Sequence, residues 1–245
     1  MKSKTSIIFG IHPVNEAIKA GRQIDKILLK QGFRNEMIPG LFPALREQNI
    51  PFQYVPVEKL NRLTGKNHQG IIALLSELEY TELDKLVPML FEQGATPAFL
   101  ILDSITDVRN IGAIARSAEC SGFHGIIIPL KGSAQLNAEA IKSSAGALNI
   151  LPVCRVGNLS DTIKFLKDSG IMIAAATEKA EQTIYQADFR QPLGVIMGSE
   201  ETGIDAKLLK SADILVRIPM QGNIQSLNVS AAAAVILFEV MRQRA

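Results

Sequence analysis

Cysteine, histidine and tryptophan are scarce in this chain. Its 245 residues include two cysteines, three histidines and no tryptophan. Cys120 and Cys154 lie far apart and lack CxxC spacing, so we expect two buried thiols in a reducing cytoplasm. The histidines lack metal-ligand spacing, and the sequence therefore predicts no metal site.

Long apolar runs are also missing. No apolar stretch approaches the ~20 residues that a membrane-spanning helix needs. The basic start, MKSKTSIIFGIHP, is interrupted by Gly10 and Pro13 too early for a signal peptide. With 47% hydrophobic and 20% charged residues, the composition indicates a folded cytoplasmic protein without a membrane partner. Its length suits one large domain or two modest ones.

Several familiar catalytic and nucleotide-binding signatures are absent. No GxGxxG follows a predicted strand and no GxxxxGK[ST] occurs, so dinucleotide-binding and P-loop proteins lose their main support. A GxSxG elbow is missing, and the histidines are too few and too scattered to serve a catalytic triad. Any chemistry must therefore depend on Asn, Arg, Glu and Ser.

Charge is unevenly distributed along the chain. Residues 1–75 carry 11 Lys/Arg against 5 Asp/Glu, residues 76–98 carry 1 against 5, and residues 99–245 carry 14 against 14. This pattern predicts a small basic module, an acidic connector and a neutral body. The basic module suggests a polyanionic partner, although a merely soluble basic surface explains the charge equally well.

The C-terminal body alternates strand and helix signals. Strands are predicted at 99–105, 125–129, 171–177, 193–198 and 214–219. Helices are predicted at 110–120, 137–147, 159–168, 205–211 and 228–243. Continuous apolar strands between helices predict an α/β fold with a parallel sheet covered on both faces. Ligands then gather beyond the carboxyl ends of the strands, which directs attention to the loops after Ile105, Thr177, Gly198 and Pro219.

The N-terminal part predicts a smaller α/β domain at 1–75, followed by a linker at 76–97 that contains a short helix and by the main domain at 98–245. In the small domain, NEAIKA and most of MIPGLFPALREQN favour helix, and IDKILLK, PFQYVPV and GIIALLS favour strands. Its loop TGKNHQG groups Lys66, Asn67, His68 and Gln69, either as a polar surface turn or as an RNA contact.

Three loops of the main domain could carry chemistry. In the first, Asn110 could cap a helix, and Arg116 is either a surface arginine or a phosphate ligand. In the second, MGSEETGI, Gly198 would allow close approach of a ligand, and Glu200 could anchor Arg116 or the polar entrance of the last helix, unless this is only a turn before a capped helix.

The third loop leads into the last helix through small polar residues. Gln225, Ser226, Asn228 and Ser230 surround Leu227 ahead of a run of four alanines. One such residue would be enough to cap a helix. The helix is apolar nearly all round, which is typical of a buried helix, so the polar group could instead border a cavity.

The motifs NIGAIAR, MGSEETGI and IPMQGNIQSLNVSAAAAVILFE resemble the three ordered motifs of the SpoU (TrmH-type) RNA 2′-O-ribose methyltransferases. SAQLNAEAIKSSAGA is also similar to that family, and FGIHPVNEAI with NHQGIIA resembles its ribosomal-protein-like RNA-binding domain. The resemblance implies a deep trefoil knot in the C-terminal domain, S-adenosylmethionine as methyl donor and a homodimer. It is strongest with the type that methylates a guanosine of 23S rRNA, and closely related enzymes act on tRNA.

The resemblance also implies roles for individual positions. Cofactor binding is expected from Thr177, Gly198, Ile218 and Leu227. Catalysis and substrate positioning are expected from Asn110, Arg116, Glu200, Ser226 and Asn228. The competing classes are a non-catalytic RNA-binding factor in ribosome assembly and a doubly wound oxidoreductase, and the missing phosphate fingerprint disfavours the oxidoreductase.

Overall fold

The computed structural model describes residues 6–34, 38–48, 50–134, 136–224 and 226–245. Gln225, one of the polar residues before the last helix, lies outside the described residues. Contacts divide the chain into two compact units. The first comprises Met1–Glu79 with Leu136–Ala138, and the second comprises Tyr80–Gln135 and Glu139–Ala245.

The first unit contains a four-stranded sheet with helices on both faces. Its elements in chain order are β1 (Ile7–Phe9), α1 (Ile11–Lys19), β2 (Ile24–Lys30), α2 (Leu41–Glu47), β3 (Phe52–Val55), α3 (Val57–Leu63) and β4 (Ile71–Leu75). The strand order is β1-β4-β2-β3, and only the β2–β3 pair is parallel. Alternation along β2 directs Ile27 and Leu29 toward α1 and α2, and Leu28 toward α3.

The sequence motifs of the first unit meet at the start of α1. Gln69 Oε1 accepts a hydrogen bond from the backbone N–H of Ile11 (2.9 Å), and the His68 ring bridges Asn61 Oδ1 (2.9 Å) and the Gly70 N–H (3.0 Å). Asn67 Oδ1 accepts from the Gln69 N–H (3.2 Å), so three of the four polar side chains in the TGKNHQG loop have structural partners, and this supports the turn interpretation for them.

The second unit is built on a six-stranded parallel sheet. Its elements are α4 (Leu83–Glu92), β5 (Ala98–Asp103), α5 (Val108–Cys120), β6 (Gly125–Pro129), α6 (Ala138–Ser143), a 3₁₀ turn (Ala147–Asn149), β7 (Val153–Val156), α7 (Leu159–Asp168), β8 (Met172–Ala176), β9 (Leu193–Gly198), α8 (Ala206–Ser211), β10 (Ile214–Val216) and α9 (Val229–Arg244). The order is β10-β8-β9-β5-β6-β7, with every neighbouring pair parallel. The predicted α/β fold with a parallel sheet is confirmed.

Both faces of this sheet are covered by helices. Phe99 and Ile101 of β5 lie in a core with α4, α7 and α8, while α5 and α9 pack together on the other face. The helix expected within 76–97 is α4, whose Leu86 and Leu90 are buried in that core. Within the described residues, no helix is long and apolar enough to cross a membrane, and no group of three or more His, Cys, Asp or Glu could hold a metal ion.

Some sequence expectations need correction. Cys154 is buried, and this burial raises the pKa of its thiol to about 12, but Cys120 is exposed at the end of α5. The helix expected to end near 147 stops at Ser143, because Ala145 and Gly146 adopt left-handed backbone conformations (φ 51° and 91°). Strands β1 and β7 and helix α3 were not predicted.

Candidate active site at the strand ends

The carboxyl ends of three adjacent strands form one wall of a cavity of about 510 Å³. Thr177 follows β8, Gly198 ends β9, and Ile218 follows β10. Ser226, Leu227 and the first turns of α9 complete the lining. Loops that are distant in the sequence thus converge because all strands of the sheet run in one direction. The four residues expected to bind the cofactor all line this cavity.

A carboxylate joins three of the expected catalytic positions beside the cavity. Glu200 Oε1 accepts hydrogen bonds from Asn228 Nδ2 (2.6 Å) and, more weakly, from Asn110 Nδ2 (3.5 Å). The Asn228 amide also donates to Asn110 Oδ1 (3.0 Å). Glu200 lines the cavity directly, and Asn110 and Asn228 are hydrogen-bonded to Glu200. We call these three residues the amide–carboxylate cluster.

Asn228 has a second role at the start of α9. Its Oδ1 accepts from the backbone N–H groups of Ser230 (3.0 Å) and Ala231 (3.4 Å), which makes it the N-cap of the helix. Glu200 Oε1 additionally accepts from the Val229 N–H (3.0 Å). The polar residues before α9 therefore both cap the helix and border the cavity, and the two interpretations of this segment hold together.

Asn110 does not cap α5, contrary to the sequence expectation. Helix α5 begins two residues earlier at Val108, and Asp107 is its cap, with Oδ1 accepting from the Arg109 N–H (2.8 Å). Asn110 is consequently in the first turn of the helix, with its side chain free to reach Glu200. Position 112, in the second turn of α5, requires glycine, because a Cβ there would come within 1.9 Å of Ser143 Oγ on α6.

Gly198 has a structural reason to be glycine. A Cβ at this position would lie 2.1 Å from the carbonyl carbon of Gly203 and 2.4 Å from the Ile204 nitrogen. The loop after β9 folds back on itself through the Gly203 N–H to Ser199 carbonyl bond (2.9 Å) and the Ser199–Thr202 hydroxyl contact (2.7 Å). We expected a ligand to approach Gly198 closely, but the atoms that lie against it are backbone atoms of Gly203 and Ile204.

Among the described residues, Arg116 neither lines the cavity nor hydrogen-bonds to a residue that lines it, unlike Asn110 and Asn228, which lie outside the lining but are held by Glu200. It lies on the exposed side of α5, about 9 Å further along the helix axis than Asn110 at 1.5 Å per residue. No hydrogen bond or ion pair connects it to the other described residues. Its guanidinium is therefore open to an external ligand.

Other lining residues were not anticipated from the sequence. Glu178 and Lys179 follow Thr177, and Arg217 precedes Ile218, so charges of both signs line the cavity. Their only sequence signal was position, since each directly follows a predicted strand or lies at the end of one. Thr202 was also missed, although its hydroxyl contact with Ser199 shapes the loop.

Comparison with protein-family models identifies the chain. Residues 97–238 match the SpoU rRNA Methylase family, and residues 7–81 match the RNA 2'-O ribose methyltransferase substrate binding model. The chain belongs to the SpoU rRNA methylase family. Within it, the amide–carboxylate cluster and the cavity lie inside the region matched by the methylase model.

Full-length relatives agree with this assignment. The chain is 34% identical over 244 residues to YacO of Bacillus subtilis (strain 168), which is named as a TrmH family tRNA/rRNA methyltransferase; the match covers 100% of this chain and 98% of the relative. A relative with the same family name from Staphylococcus saprophyticus is 38% identical over 239 residues, covering 97% and 96%. The chain is accordingly an RNA methyltransferase of this family.

Solved structures share the fold. A crystal structure of an RNA 2'-O ribose methyltransferase is 27% identical, with a TM-score of 0.57 over 97% of this chain and 88% of that one. The SpoU methyltransferase AviRb from Streptomyces viridochromogenes, solved in complex with AdoMet, has a TM-score of 0.62 at 24% identity, covering 97% and 90%. The trefoil knot stays a prediction for this chain.

Proposed function

We propose that this enzyme transfers a methyl group from S-adenosylmethionine to a ribose 2′-hydroxyl of structured RNA, with a guanosine of 23S rRNA as the target. The observation that carries the proposal is the convergence of Asn110, Glu200 and Asn228 at the rim of a cavity formed by the strand ends. A tRNA target is the alternative, because the names of the full-length relatives give both classes of RNA.

The cavity suits the chemistry of S-adenosylmethionine. Its volume of about 510 Å³ lies within the range of ~300–1,000 Å³ that small-ligand sites occupy. The ligand carries a carboxylate, an ammonium and a sulfonium, and the lining offers Arg217 and Lys179 as cations and Glu178 and Glu201 as anions. Apolar walls from Leu227, Ile236 and other residues suit the adenine ring.

Four residues would hold this ligand: Thr177, Gly198, Ile218 and Leu227. Gly198 and Ile218 would act mainly through backbone groups exposed where β9 and β10 end. When bound, S-adenosylmethionine supplies an electrophilic methyl group on a positively charged sulfur. The protein must then position the ribose hydroxyl in line with that methyl group, because positioning provides much of the rate in such displacements.

The amide–carboxylate cluster would do that positioning. Glu200 is already held by three donors, so its carboxylate is fixed relative to α5 and α9 before RNA arrives. Asn110 and Asn228 would orient the ribose together with Ser226 of the cavity lining. A preorganised polar rim lowers the reorganisation that the reacting groups would otherwise require.

Arg116 would act on the phosphate next to the target ribose. Guanidinium stays protonated in proteins and makes a poor general base. A planar cation with a free donor fork suits a bidentate phosphate contact and also stabilises the developing alkoxide. The exposed position of Arg116 on α5 supports this function, since bound RNA could reach it. The proton of the hydroxyl would leave by another route.

The substrate-binding unit and a homodimer complete the proposal. The proposed division assigns RNA binding to residues 1–75, a connector to 76–97 and methyl transfer to 98–245. The surplus of 11 Lys/Arg over 5 Asp/Glu in residues 1–75 supports RNA as the partner. On α9, Phe238 is 42% and Met241 39% exposed, and such apolar side chains support a second copy as the cover for that helix.

Calorimetry with S-adenosylmethionine and with NAD tests the activity class. Binding of S-adenosylmethionine alone, together with transfer of labelled methyl groups to rRNA, is expected. A non-catalytic assembly factor would bind RNA without either result, and an oxidoreductase would bind NAD. Mapping 2′-O-methyl sites in RNA from cells lacking the protein would then identify the nucleotide, and sedimentation would establish the oligomeric state.

A further inference from the structure

The free edge of the first unit's sheet carries exposed aromatic side chains. Strand β3 lies at the end of the order β1-β4-β2-β3, and among the described residues it pairs only with β2. Phe52 and Tyr54 are 39% and 46% exposed, although large apolar side chains are usually buried. Being two residues apart on a strand, they point to the same face of the sheet.

The rings form a continuous row with a third aromatic. Phe42 of α2 meets Phe52 edge-to-face with centroids 5.1 Å apart, and Phe52 meets Tyr54 in the same way at 5.9 Å. We call Phe42, Phe52 and Tyr54 the edge aromatic strip. Phe42 is packed against the buried core, so the row is anchored at one end and open at the other.

Charge around the strip favours an anionic partner. Arg46 is exposed on α2 one turn after Phe42, and residues four apart on a helix are neighbours on its surface. Residues 1–75 as a whole carry an excess of Lys and Arg. A row of aromatic faces beside a cation is the arrangement by which proteins hold unpaired nucleobases while a basic surface follows the phosphates.

Packing within the protein does not account for the exposure. Edge-to-face contacts stabilise the pairs, but they require no ring to be left almost half open to solvent. The other face of the same sheet shows the contrast, because Leu28 of β2 and Ile72 of β4 are buried there together with Leu60 of the covering helix α3. The strip is the part of the sheet that lacks such a cover.

We propose that the edge aromatic strip stacks on unpaired nucleobases of the substrate RNA, with Arg46 contacting the adjacent phosphate. This inference rests on the proposed function, because it names a contact through which that function would select its RNA. The ligand class is single-stranded RNA at a loop or bulge, since the bases of a duplex are already stacked and paired.

The lack of tryptophan in the chain allows a direct test. Tyr54→Trp places the only indole of the full-length protein in the strip, and stacking on a base quenches its emission. Leu63→Trp is the matched control, because Leu63 is 40% exposed in the same unit but lies on α3, across the sheet. Short oligouridine is the probe. Saturable quenching in Tyr54→Trp, with little in Leu63→Trp, is expected.

Affinity provides the second measurement. Tyr54→Leu keeps an apolar side chain but removes the ring, and it should weaken oligouridine binding about tenfold, whereas Tyr54→Phe should bind like wild type. Thermal unfolding of each variant shows whether the fold is intact. A Tyr54→Leu protein that unfolds like wild type and binds oligouridine equally well would overturn the inference.

The outcomes also separate the inference from the function on which it rests. If wild type binds and methylates RNA but Tyr54→Trp is not quenched, the strip has no role in RNA binding and the methyltransferase proposal stands. If wild type neither binds S-adenosylmethionine nor methylates RNA, the proposed function fails. If the emission of Tyr54→Trp changes with protein concentration in the absence of RNA, the strip is a protein contact and the inference is wrong.

Discussion

Glu200 and Asn228, 28 residues apart in the chain, are joined by a 2.6 Å hydrogen bond at the cavity rim. The same carboxylate oxygen accepts from the Val229 N–H at the start of α9. One side chain from the loop after β9 therefore fixes both the cap residue and the first turn of the last helix. The amide–carboxylate cluster depends on this link, because Asn110 joins it through the same two residues.

Removing the Glu200 carboxylate should separate catalysis from cofactor binding. We expect Glu200→Ala to lower kcat about 100-fold, because the groups that position the ribose lose their common acceptor. The free energy of unfolding should fall by only about 1 kcal/mol, the usual cost of removing an acceptor at a helix start. Steady-state kinetics and urea unfolding measure these two quantities, and calorimetry measures the S-adenosylmethionine affinity, which should be retained.

Glu200→Gln and Glu181→Ala provide the controls for that experiment. Glutamine keeps an oxygen that can accept the same hydrogen bonds, so its kcat should fall between wild type and alanine. Glu181 is exposed and does not line the cavity, so Glu181→Ala should leave kcat unchanged. Full activity in Glu200→Ala would remove Glu200 from the positioning set.

Gly198→Ala should disturb the cavity through the backbone. The added methyl group would overlap the Gly203 carbonyl carbon, so the loop after β9 must move away from the strand end. We expect a decrease of about 1–3 kcal/mol in the free energy of unfolding and weaker S-adenosylmethionine binding. Gly65→Ala is the control, because nothing lies within 4 Å of a Cβ there. Equal effects of the two substitutions would show that the close approach at Gly198 is unimportant.

Arg116→Lys tests the phosphate-binding role. Lysine retains the positive charge but lacks the bidentate fork, so kcat/KM should fall about tenfold or more while the pH–rate profile keeps its shape. Arg109→Lys, on the same helix, is the comparison and should be close to wild type, since Arg109 already pairs with Glu139. Near-full activity in Arg116→Lys with a profile shifted to a lysine-like pKa would instead favour a general base.

The basic surface of the first unit should govern the salt dependence of RNA binding. Arg22 just after α1, Arg34 between β2 and α2, and Arg46 on α2 are exposed, and both helices pack on the face of the sheet that carries the edge aromatic strip. Changing all three to glutamine should reduce the slope of log K against log salt by about 0.7–0.9 for each phosphate that the variant no longer neutralises, without altering S-adenosylmethionine affinity. Lys85→Gln and Lys164→Gln are the controls and should leave the slope unchanged, because both lysines are ion-paired in the second unit. An unchanged slope in the triple variant would place the RNA elsewhere.

His124 should make stability depend on pH. Burial, with a smaller contribution from the Arg244 charge, lowers the pKa of His124 below its ordinary value of 6.5. Its Nδ1 accepts a hydrogen bond from the Ala98 N–H (3.1 Å), which the protonated ring cannot do. Because the unfolded chain protonates first, the free energy of unfolding is fully retained above pH ~6.5 and falls as the pH drops toward the folded-state pKa.

Urea unfolding between pH 7.5 and about 5 checks this dependence. His124→Gln should flatten the curve, whereas His12→Gln, at an exposed histidine, should leave its slope unchanged. A wild-type slope that persists in His124→Gln would assign the effect to other groups.

Periodicity in the sequence predicted the strongest elements and missed the weakest. Strands β6 and β9 and helix α7 have the predicted bounds, because long apolar or amphipathic runs carry their own signal. Strand β1 has three residues and β7 has four, and both lie at sheet edges. Short edge strands depend on pairing with a neighbour, and that partner cannot be read from the local sequence.

For the site, the sequence predicted which loops meet but not every contact that shapes them. The parallel-sheet rule directed attention to the correct loops, and the residues at Thr177, Gly198, Ile218 and Leu227 line one cavity. Their roles in binding stay predictions. The reason for Gly198 was not foreseen, because the atoms that fill its missing side chain belong to a loop that only the folded chain brings back.

By itself, the sequence determined the α/β class, the parallel sheet and the loops beyond its strand ends, because these follow from local hydrophobic patterns and from the order of elements. Only the tertiary structure decided that Glu200 would join Asn110 to Asn228, and that Arg116 would lie outside the cavity lining. Side-chain contacts between distant segments depend on how helices pack across the sheet, to within an ångström. No local pattern of residues encodes that distance.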